Sequence, residues 1–427
     1  MLQEHLRFFN GPDVEGRTTG TSGYATAASY VAARMAEFGL QSGLASNAQV
    51  VYQTPLNEIR GATLTANADT DTLLFYPGVD FLPDGRSDSG RVEINTLVMG
   101  SSGPVEADDA FTLPGAAVLL PARAASTDSL EALRDAGARV VLVAGALTPR
   151  PALRPVQGLM VVQILPETAM SLLNASRATL NVQLSRTDRS LRRLPRPMRL
   201  HIETQALPAT GALNVLSYVP GRHPAQAREL VIVCTDLDAV GTFAGVSTLD
   251  AVHLGVSTAA LLELARQYAL FARFGSVPAR TLLFVVFSGA RQEYAGLREY
   301  LRHPLWALSH TRAVVYLGLD STDEAAVRGL LAPHDLPLYL VEAPPDTLEA
   351  QALYLLPERR PPRRRTLRPQ GEEGFRDDPP RLSDLIDAGV IRARLMVEAA
   401  HTVLLREAGP SLIPVNPDSL RIPVAND

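Results

Sequence analysis

Residues 231–241, VIVCTDLDAVG, are the stretch that decides the fold class, because an apolar run ends there in two closely spaced aspartates, Asp236 and Asp238. A short uninterrupted apolar run is typical of a strand that is buried on both faces, as in a parallel sheet covered by helices. Ligands of open α/β sheets bind at the carboxyl ends of the strands. The two acids therefore stand where an α/β enzyme presents metal ligands or a catalytic base.

Strand-like and helix-like segments alternate around this stretch. The spacing of apolar residues predicts helices at 24–39, 257–274, 292–302 and 383–407, the first of which ends at Gly39. The strands predicted in the same part of the chain have the sequences NVLSYVPG, ELVIVCTD, TLLFVVFSG and AVVYLGLD. This alternation predicts an α/β fold with a mostly parallel, twisted sheet and helices on both faces.

Between residues 63 and 187 the pattern changes to short β-type runs that are separated by Gly, Pro and Asp. These runs predict a compact β-rich module that is inserted into the α/β domain. The chain is thereby divided into 1–62, 63–187 and 188–427. The arginine- and proline-rich residues 186–199 are predicted to form the linker out of the module. Residues 357–380 are rich in Pro and Arg without periodicity and are predicted to form a long exposed loop.

The composition narrows the possible classes of partner and site. The chain has 427 residues and a net charge of −5, which gives no electrostatic case for nucleic acid binding. Its single cysteine, Cys234, lies in an apolar run and is predicted to be a buried core residue. No stretch reaches the roughly 18 apolar residues of a membrane span. The first residues lack the apolar core of a signal peptide, so we expect either a cytoplasmic protein or a numbering that starts after a removed leader.

Five segments, in the same order, resemble metallopeptidase family twenty-eight, which contains zinc aminopeptidases and carboxypeptidases together with non-enzymatic relatives. Residues 8–40, FFNGPDVEGRTTGTSGYATAASYVAARMAEFGL, are similar to the opening signature of that family. NVLSYVPG, AALLELAR, TLLFVVFSG and SDLIDAGVIRARLMVEAAHTVL are similar to its catalytic sheet and to the helices beside it. The β-rich module resembles the protease-associated domain that is often inserted there. The resemblance implies a zinc aminopeptidase-like fold.

The resemblance also implies a centre with two zinc ions, five ligands and a glutamate base, and every one of these positions is altered here. Alanine at the base position, Ala290, cannot accept a proton, and a permanently charged arginine at a ligand position repels a dication. A neutral imidazole does not bridge two zinc ions as a carboxylate does. The ligand positions are occupied by Asp236, His253, Arg291, Gly318 and Arg376. With these positions altered, we expect a chain that binds no metal and no cofactor.

Several interpretations of the altered centre are open. Asp236, Asp238 and Arg291 are expected to form an ion-paired pocket. A single metal ion could instead bind Asp236, Asp238 and His253, and a shift of register could bring Glu293 into the base position. Ser288 lacks the G-x-S-x-G pattern of a serine nucleophile. Five further histidines have no metal-ligand spacing: His201, His223, His303, His310 and His334.

The function expected from these residues is that of a catalytically inactive peptidase-like protein, a binding or structural subunit with a protein partner. The alternatives are a metallopeptidase with an atypical site and a small-ligand binder in which Arg291 or Arg376 grips a carboxylate. An arginine cluster could dock onto an acidic protein or an anionic membrane surface; its members are Arg359, Arg360, Arg363, Arg364, Arg365 and Arg368. The family resemblance favours an extracytoplasmic location, periplasmic, secreted or membrane-associated.

Overall fold

The computed structural model describes most of the chain. The described residues are 1–11, 13–14, 17–44, 48–51, 56–68, 71–99, 117–147, 155–185, 190–207, 212–239, 242–243, 246–248, 251–290, 292–319, 321–342, 355–357 and 382–409. Their α-helices are α1 (Leu2–Phe9), α2 (Ser22–Phe38), α3 (Thr127–Asp135), α4 (Pro166–Leu173), α5 (Arg177–Ser185), α6 (Ala251–Arg273), α7 (Ala295–Arg302), α8 (Ser321–Leu331) and α9 (Leu382–Glu407).

The strands of the described residues form three sheets. They are β1 (Ala48–Val51), β2 (Leu56–Ala68), β3 (Asp71–Phe75), β4 (Phe81–Pro83), β5 (Gly90–Met99), β6 (Ala117–Pro121), β7 (Val140–Ala144), β8 (Met160–Ile164), β9 (Ser190–Leu207), β10 (Ala212–Val219), β11 (Leu230–Asp236), β12 (Thr242–Phe243), β13 (Val246–Thr248), β14 (Thr281–Phe287), β15 (Thr311–Leu317), β16 (Leu338–Val341) and β17 (Leu355–Pro357).

The sheet that contains residues 231–236 has the strand order β1-β10-β14-β11-β15-β16. Strands β14, β11, β15 and β16 pair in parallel, whereas β1 and β10 are antiparallel to their neighbours at one side. Every residue of β11 and β14 is buried, because these strands are central and covered on both faces. The predicted α/β class, with a mostly parallel sheet, is confirmed.

Helices cover both faces of this sheet. Val231 and Val233 of β11 belong to the hydrophobic core that is shared with α1, α2, α6 and α9. The intervening residues Ile232 and Cys234 point to the opposite face, where the core includes residues of α7 and α8. Cys234 is buried as predicted, and burial raises the pKa of its thiol well above the usual value. This thiol therefore acts as a small core side chain.

A second, eight-stranded sheet has the order β3-β2-β9-β5-β6-β7-β8-β4. Its strands run from Leu56 to Leu207, and α3, α4 and α5 lie between them in sequence. This part of the chain is rich in strands, as the sequence indicates. The division at residues 63 and 187, and the identity of the module as an inserted protease-associated domain, stay predictions.

The predicted linker over residues 186–199 is wrong for the residues that the structure describes. Strand β9 begins at Ser190 and pairs with β2 on one side and β5 on the other. Its even-numbered residues Met198, Leu200 and Ile202 are buried in the core of the second sheet, which is the alternation of a strand. The pairing with β5 is irregular between Ile94 and Thr96, and prolines are tolerated at such an irregularity.

The ends of the predicted helices follow local chemistry. Helix α2 begins after Thr21, whose side chain accepts a hydrogen bond from the Tyr24 N–H, and it ends at Gly39 in the left-handed conformation, as predicted. Helix α7 begins at Ala295, later than predicted, because Glu293 and Tyr294 have positive φ angles. Within the described residues no helix combines the length and the apolar character that a bilayer crossing needs.

Candidate functional site

The carboxyl ends of β11, β14 and β15 meet at one edge of the first sheet, because the three strands are parallel neighbours. The edge gathers several of the predicted positions. Asp236 is the last residue of β11 and pairs with Phe287, while Ala290 follows β14 and Gly318 follows β15. His253 lies in the first turn of α6, although its side chain is outside the described part of the structure. Arg291 and Arg376 also lie outside the described residues.

Asp236 is a buried carboxylate, only 7% exposed. Its Oδ2 accepts a hydrogen bond of 2.8 Å from the hydroxyl of Tyr316 on β15. Burial, and then the charge of Asp236, raise the pKa of Tyr316 well above its usual value, so the phenol keeps its proton and its O–H donates a hydrogen bond to the carboxylate. This bond fixes one oxygen of Asp236 to the neighbouring strand.

Asp238 is 2% exposed, and both of its oxygens accept main-chain hydrogen bonds. Oδ1 accepts from the Thr19 N–H at 3.1 Å, and Oδ2 accepts from the Ala290 N–H at 2.9 Å. The hydroxyl of Thr19 in turn accepts from the Gly289 N–H at 3.0 Å. Asp238 therefore joins three segments, and the residue at the predicted base position contributes its backbone N–H to this junction.

Arg17 fixes the segment that follows α1 against the same edge. Its side chain is fully buried, and it donates from Nε to the Leu237 carbonyl at 3.0 Å and from Nη1 to the Phe9 carbonyl at 2.7 Å. Its backbone exchanges two hydrogen bonds with Ala239. The guanidinium also lies over the Phe9 ring, 5.1 Å from the ring centroid. The sequence interpretation used Arg17 only as part of a signature and missed this structural role.

Asn214 of β10 organises the other side of the edge. It is fully buried, and its Oδ1 accepts from the N–H and from the hydroxyl of Ser288, at 3.0 and 3.2 Å. Its Nδ2 donates to the Gly296 carbonyl at 2.8 Å and to Gln49 Oε1 at 3.0 Å. All four hydrogen bonds of the amide are thus made. Sequence reasoning missed this residue because it lies inside an apolar strand.

Asn214→Ala is expected to lower the free energy of unfolding by about 2–4 kcal/mol, because it leaves buried polar groups of Ser288 and Gly296 without a partner. Urea unfolding followed by fluorescence of the single tryptophan, Trp306, measures the loss. Gln49→Ala is the matched control, since it removes only the partly buried partner of the amide, and it should cost less than about 1 kcal/mol. If Asn214→Ala also costs less than about 1 kcal/mol, the role given to Asn214 is contradicted.

The remaining candidates do not join the two aspartates. Ser288 is buried and bonded to Asn214, so its hydroxyl is not presented to a substrate. Glu293 is 77% exposed in its side chain and pairs with Arg298 at 3.1 Å. Of the five scattered histidines, His201 lies on β9, and the other four lie outside the strands: His223, His303, His310 and His334. Within the described residues no three His, Cys, Asp or Glu side chains are grouped so that they could hold a metal ion.

Gly318 occupies a position where the backbone excludes a side chain. Its φ angle is +74°, and its N–H donates to the Val341 carbonyl at 3.0 Å. A Cβ atom on this residue would lie 2.7 Å from the Cβ of Ser257 on α6. The described residues therefore do not fit a two-zinc centre, because a side chain at the Gly318 ligand position would be strained and would crowd Ser257, and the base position is alanine.

Comparison with known proteins finds solved structures of similar fold but no match by sequence. Neither a protein-family model nor a curated protein matches the chain. Among solved structures, the aminopeptidase from Aneurinibacillus sp. strain AM-1 is similar over 97% of this chain and 96% of its own, with a TM-score of 0.56 and 14% identity. The zinc aminopeptidase from Bacillus subtilis is similar over 93% of this chain and 94% of its own, with a TM-score of 0.53 and 14% identity.

A third similar structure is that of a peptidase M28 precursor from Shewanella amazonensis, with a TM-score of 0.56 and 13% identity. The likeness covers 98% of this chain and 95% of that one. At such low identity the likeness is one of fold. The chain has the zinc aminopeptidase-like fold over nearly its whole length, as the resemblance implied.

Proposed function

We propose that this chain is a catalytically inactive member of metallopeptidase family twenty-eight that serves as a binding or structural subunit. The observation that supports this best is the environment of Asp238. Its two oxygens accept hydrogen bonds from the main chain at Thr19 and at Ala290, so the acid and the former base position form a structural junction.

The chemistry of metal-assisted peptide hydrolysis supports the same proposal. That reaction needs ligands that fix a dication and a base that takes the proton of the metal-bound water. Ala290 offers no side-chain acceptor, and the site of Gly318 is closed to any side chain by Ser257. The first zinc ligand is replaced by Asp236, which is bonded to Tyr316. The contacts of Asp236 and Ala290 are thus consistent with structural roles at these positions.

A partner completes the proposal. An acidic protein or an anionic membrane surface would suit the six arginines between Arg359 and Arg368, which lie outside the described residues. The net charge of −5 supports a partner other than nucleic acid. An extracytoplasmic location and the protease-associated identity of residues 63–187 belong to the same proposal, since they rest on the family resemblance.

The second candidate is an active metallopeptidase with an unusual site. It is favoured by the fold, which is that of the aminopeptidases over nearly the whole chain. It is also favoured by two buried carboxylates at the sheet edge where that fold binds its ligands. A binder of small carboxylates that uses Arg291 or Arg376 is a variant of the non-catalytic proposal.

Metal analysis and an assay with aminoacyl substrates separate the two candidates. We expect the protein purified with zinc in all buffers to retain no stoichiometric zinc and to show no hydrolysis above the buffer rate. The Bacillus subtilis aminopeptidase is the positive control. The double variant Ala290→Glu with Arg291→Glu should also stay inert, because Gly318 and Asp236 remain. About two zinc ions per chain, together with hydrolysis, would overturn the proposal.

A further inference from the structure

Helix α1 carries a histidine in the face that it buries. His5 is fully buried together with Leu6 and Phe9. The helix lies close to its neighbours, since a Cβ on Gly255 of α6 would be 3.4 Å from Phe9 and a Cβ on Gly389 of α9 would be 3.2 Å from Leu6. Two apolar side chains and one imidazole thus make up the buried face of an eight-residue helix.

Only one nitrogen of the His5 ring has a partner within the described residues. Nδ1 lies 2.7 Å from the hydroxyl of Tyr30 on α2, whereas Nε2 is buried without a hydrogen bond. The ring also meets the Tyr30 ring edge-on, and Tyr30 stacks on Phe8 at 3.7 Å between ring centroids. A neutral imidazole needs one donor and one acceptor, but an imidazolium has two N–H donors.

The charged groups around His5 come from every element that packs against α1. On α1 itself they are Glu4 and the N-terminal amine, on α2 Arg34, and on α6 Glu263. On α9, Asp387 accepts a hydrogen bond from Gln3 at the exposed side. The carboxylate of Glu263 is already bonded to Arg266 and Gln267. None of these described groups is hydrogen-bonded to Nε2 of His5, so a second N–H on the ring would have no acceptor in this arrangement.

Burial therefore opposes protonation of this ring. It lowers the pKa of His5 from 6.5 to about 4. Because the pKa in the folded state lies below that in the unfolded state, the associated stability is present above about pH 6.5 and is lost as the pH falls towards 4. Protonation of His5 therefore destabilises the packing of α1, which buries only two other side chains, Leu6 and Phe9.

Helix α1 is linked directly to the sheet edge. The carbonyl of Phe9, its last residue, accepts from Arg17, and Arg17 donates to the Leu237 carbonyl between the two buried aspartates. Two residues further on, Thr19 donates to Asp238. Displacement of α1 removes one acceptor from a fully buried guanidinium, which weakens the hold of residues 17–19 on the edge.

We propose that α1 is an acid-sensitive element: protonation of His5 releases α1 from the core and loosens residues 17–19 at the carboxyl edge of the sheet. The occupant of that edge, whether protein partner or small ligand, would then bind differently at neutral and at acidic pH. The inference depends on α1 and its contacts and is independent of whether the chain is an enzyme.

Hydrogen exchange measured by mass spectrometry tests the release, after correction for the intrinsic effect of pH. Between about pH 7.5 and pH 5, the opening equilibrium of residues 1–11 should rise about 30-fold in the wild-type chain, and residues 17–19 should follow. In His5→Phe, which keeps an aromatic ring without a titrating group, the rise should be less than about threefold. His401→Gln is the matched control.

His401 suits this purpose because it is a partly buried histidine of α9 whose Nδ1 lies 3.1 Å from the hydroxyl of Tyr268, and burial also lowers its pKa. If the acid response persists in His5→Phe and disappears in His401→Gln, the proposal is wrong. Should His5→Phe fail to fold, an NMR titration of the wild-type ring decides: we expect a pKa well below 6.5 for His5, and a value at 6.5 would overturn the proposal.

Discussion

Asp238→Ala should lower the free energy of unfolding by about 3–5 kcal/mol, a large fraction of the total stability of a domain. The substitution removes a buried charge whose two oxygens accept the N–H groups of Thr19 and Ala290. Both donors would stay buried without an acceptor, and each such donor costs about 1–3 kcal/mol. Urea unfolding followed by Trp306 fluorescence measures the loss.

Two further variants test the cause of this loss. Asp238→Asn keeps one oxygen acceptor but presents an amide donor to the second N–H, so it should cost about 1.5–3 kcal/mol. Asp88 is the matched control, because its two oxygens also accept main-chain N–H groups, from Ser89 and Gly158, at a partly exposed site. Water can replace those bonds, so Asp88→Ala should cost about 1 kcal/mol or less in the transition of its own sheet.

The same variants bear on function. If Asp238 only joins the segments at 19, 238 and 290, then Asp238→Asn should reduce stability and change no metal content. A metal ligand would behave differently, since its removal lowers metal affinity more than apo-protein stability. A loss of bound zinc in Asp238→Asn, with the stability of the zinc-free protein unchanged, would contradict the structural role.

The sequence predicted the parts of the fold that leave a regular local pattern. The continuous apolar runs at β11 and β14 and the helical spacing at 383–407 each report burial directly, and the structure confirms them. Strand β9 was missed because arginines and prolines interrupt its alternation, although Met198 and Leu200 still mark the buried face. The alternation of buried and exposed residues in β9 is clear only from its pairing with β2 and β5.

The hydrogen bonds of the candidate site could not be predicted from the sequence. The resemblance identified Asp236, Ala290 and Gly318, and the parallel strands bring these residues to one edge. The partners of the buried polar groups are mainly backbone atoms of distant segments, as in the bonds from Arg17 to Leu237 and from Thr19 to Asp238. Such bonds have no sequence pattern, because any residue supplies a carbonyl or an N–H.

The ion-paired pocket expected from Asp236, Asp238 and Arg291 stays a prediction, since Arg291 lies outside the described residues. Arg17 is a buried arginine at this edge. Its guanidinium donates to the carbonyl of Leu237, the residue between the two buried aspartates. Asking which charge accompanies those acids would have drawn attention to such an arginine, because buried charges are paired or fully hydrogen-bonded.

Gly318→Ala is expected to lower the free energy of unfolding by about 2–5 kcal/mol. Two effects add: an L-residue in the left-handed conformation costs about 1–2 kcal/mol, and crowding of the fully buried Ser257 by the new side chain costs about 1–3 kcal/mol. The structure shows both causes, since the φ angle is +74° and the new Cβ would lie 2.7 Å from the Cβ of Ser257. Thermal and urea unfolding measure the loss.

Two glycines of the same domain separate these effects. Gly275 has a φ angle of +87° with open space around it, so Gly275→Ala should show the backbone effect alone, about 1–2 kcal/mol. Gly329 lies in α8 with nothing near its Cβ position, and Gly329→Ala should stabilise the protein by up to about 1 kcal/mol. If Gly318→Ala costs no more than Gly275→Ala, the contact with Ser257 is unimportant and the position is open to a side chain.

The result for Gly318→Ala indicates whether a metal ligand could be restored at this position. An aspartate is larger than alanine, so Gly318→Asp must push Ser257 aside or bend the strand end that is held by the Val341 carbonyl. Restoring a ligand there should therefore destabilise the fold before it can create a metal site. Removal of Cβ at the partner, Ser257→Gly, should recover part of the loss from Gly318→Ala, so that the two substitutions together cost less than their sum. Strict additivity would show that the new Cβ does not contact Ser257. The glycine at position 318 would then argue against a metal site less strongly than the alanine at position 290.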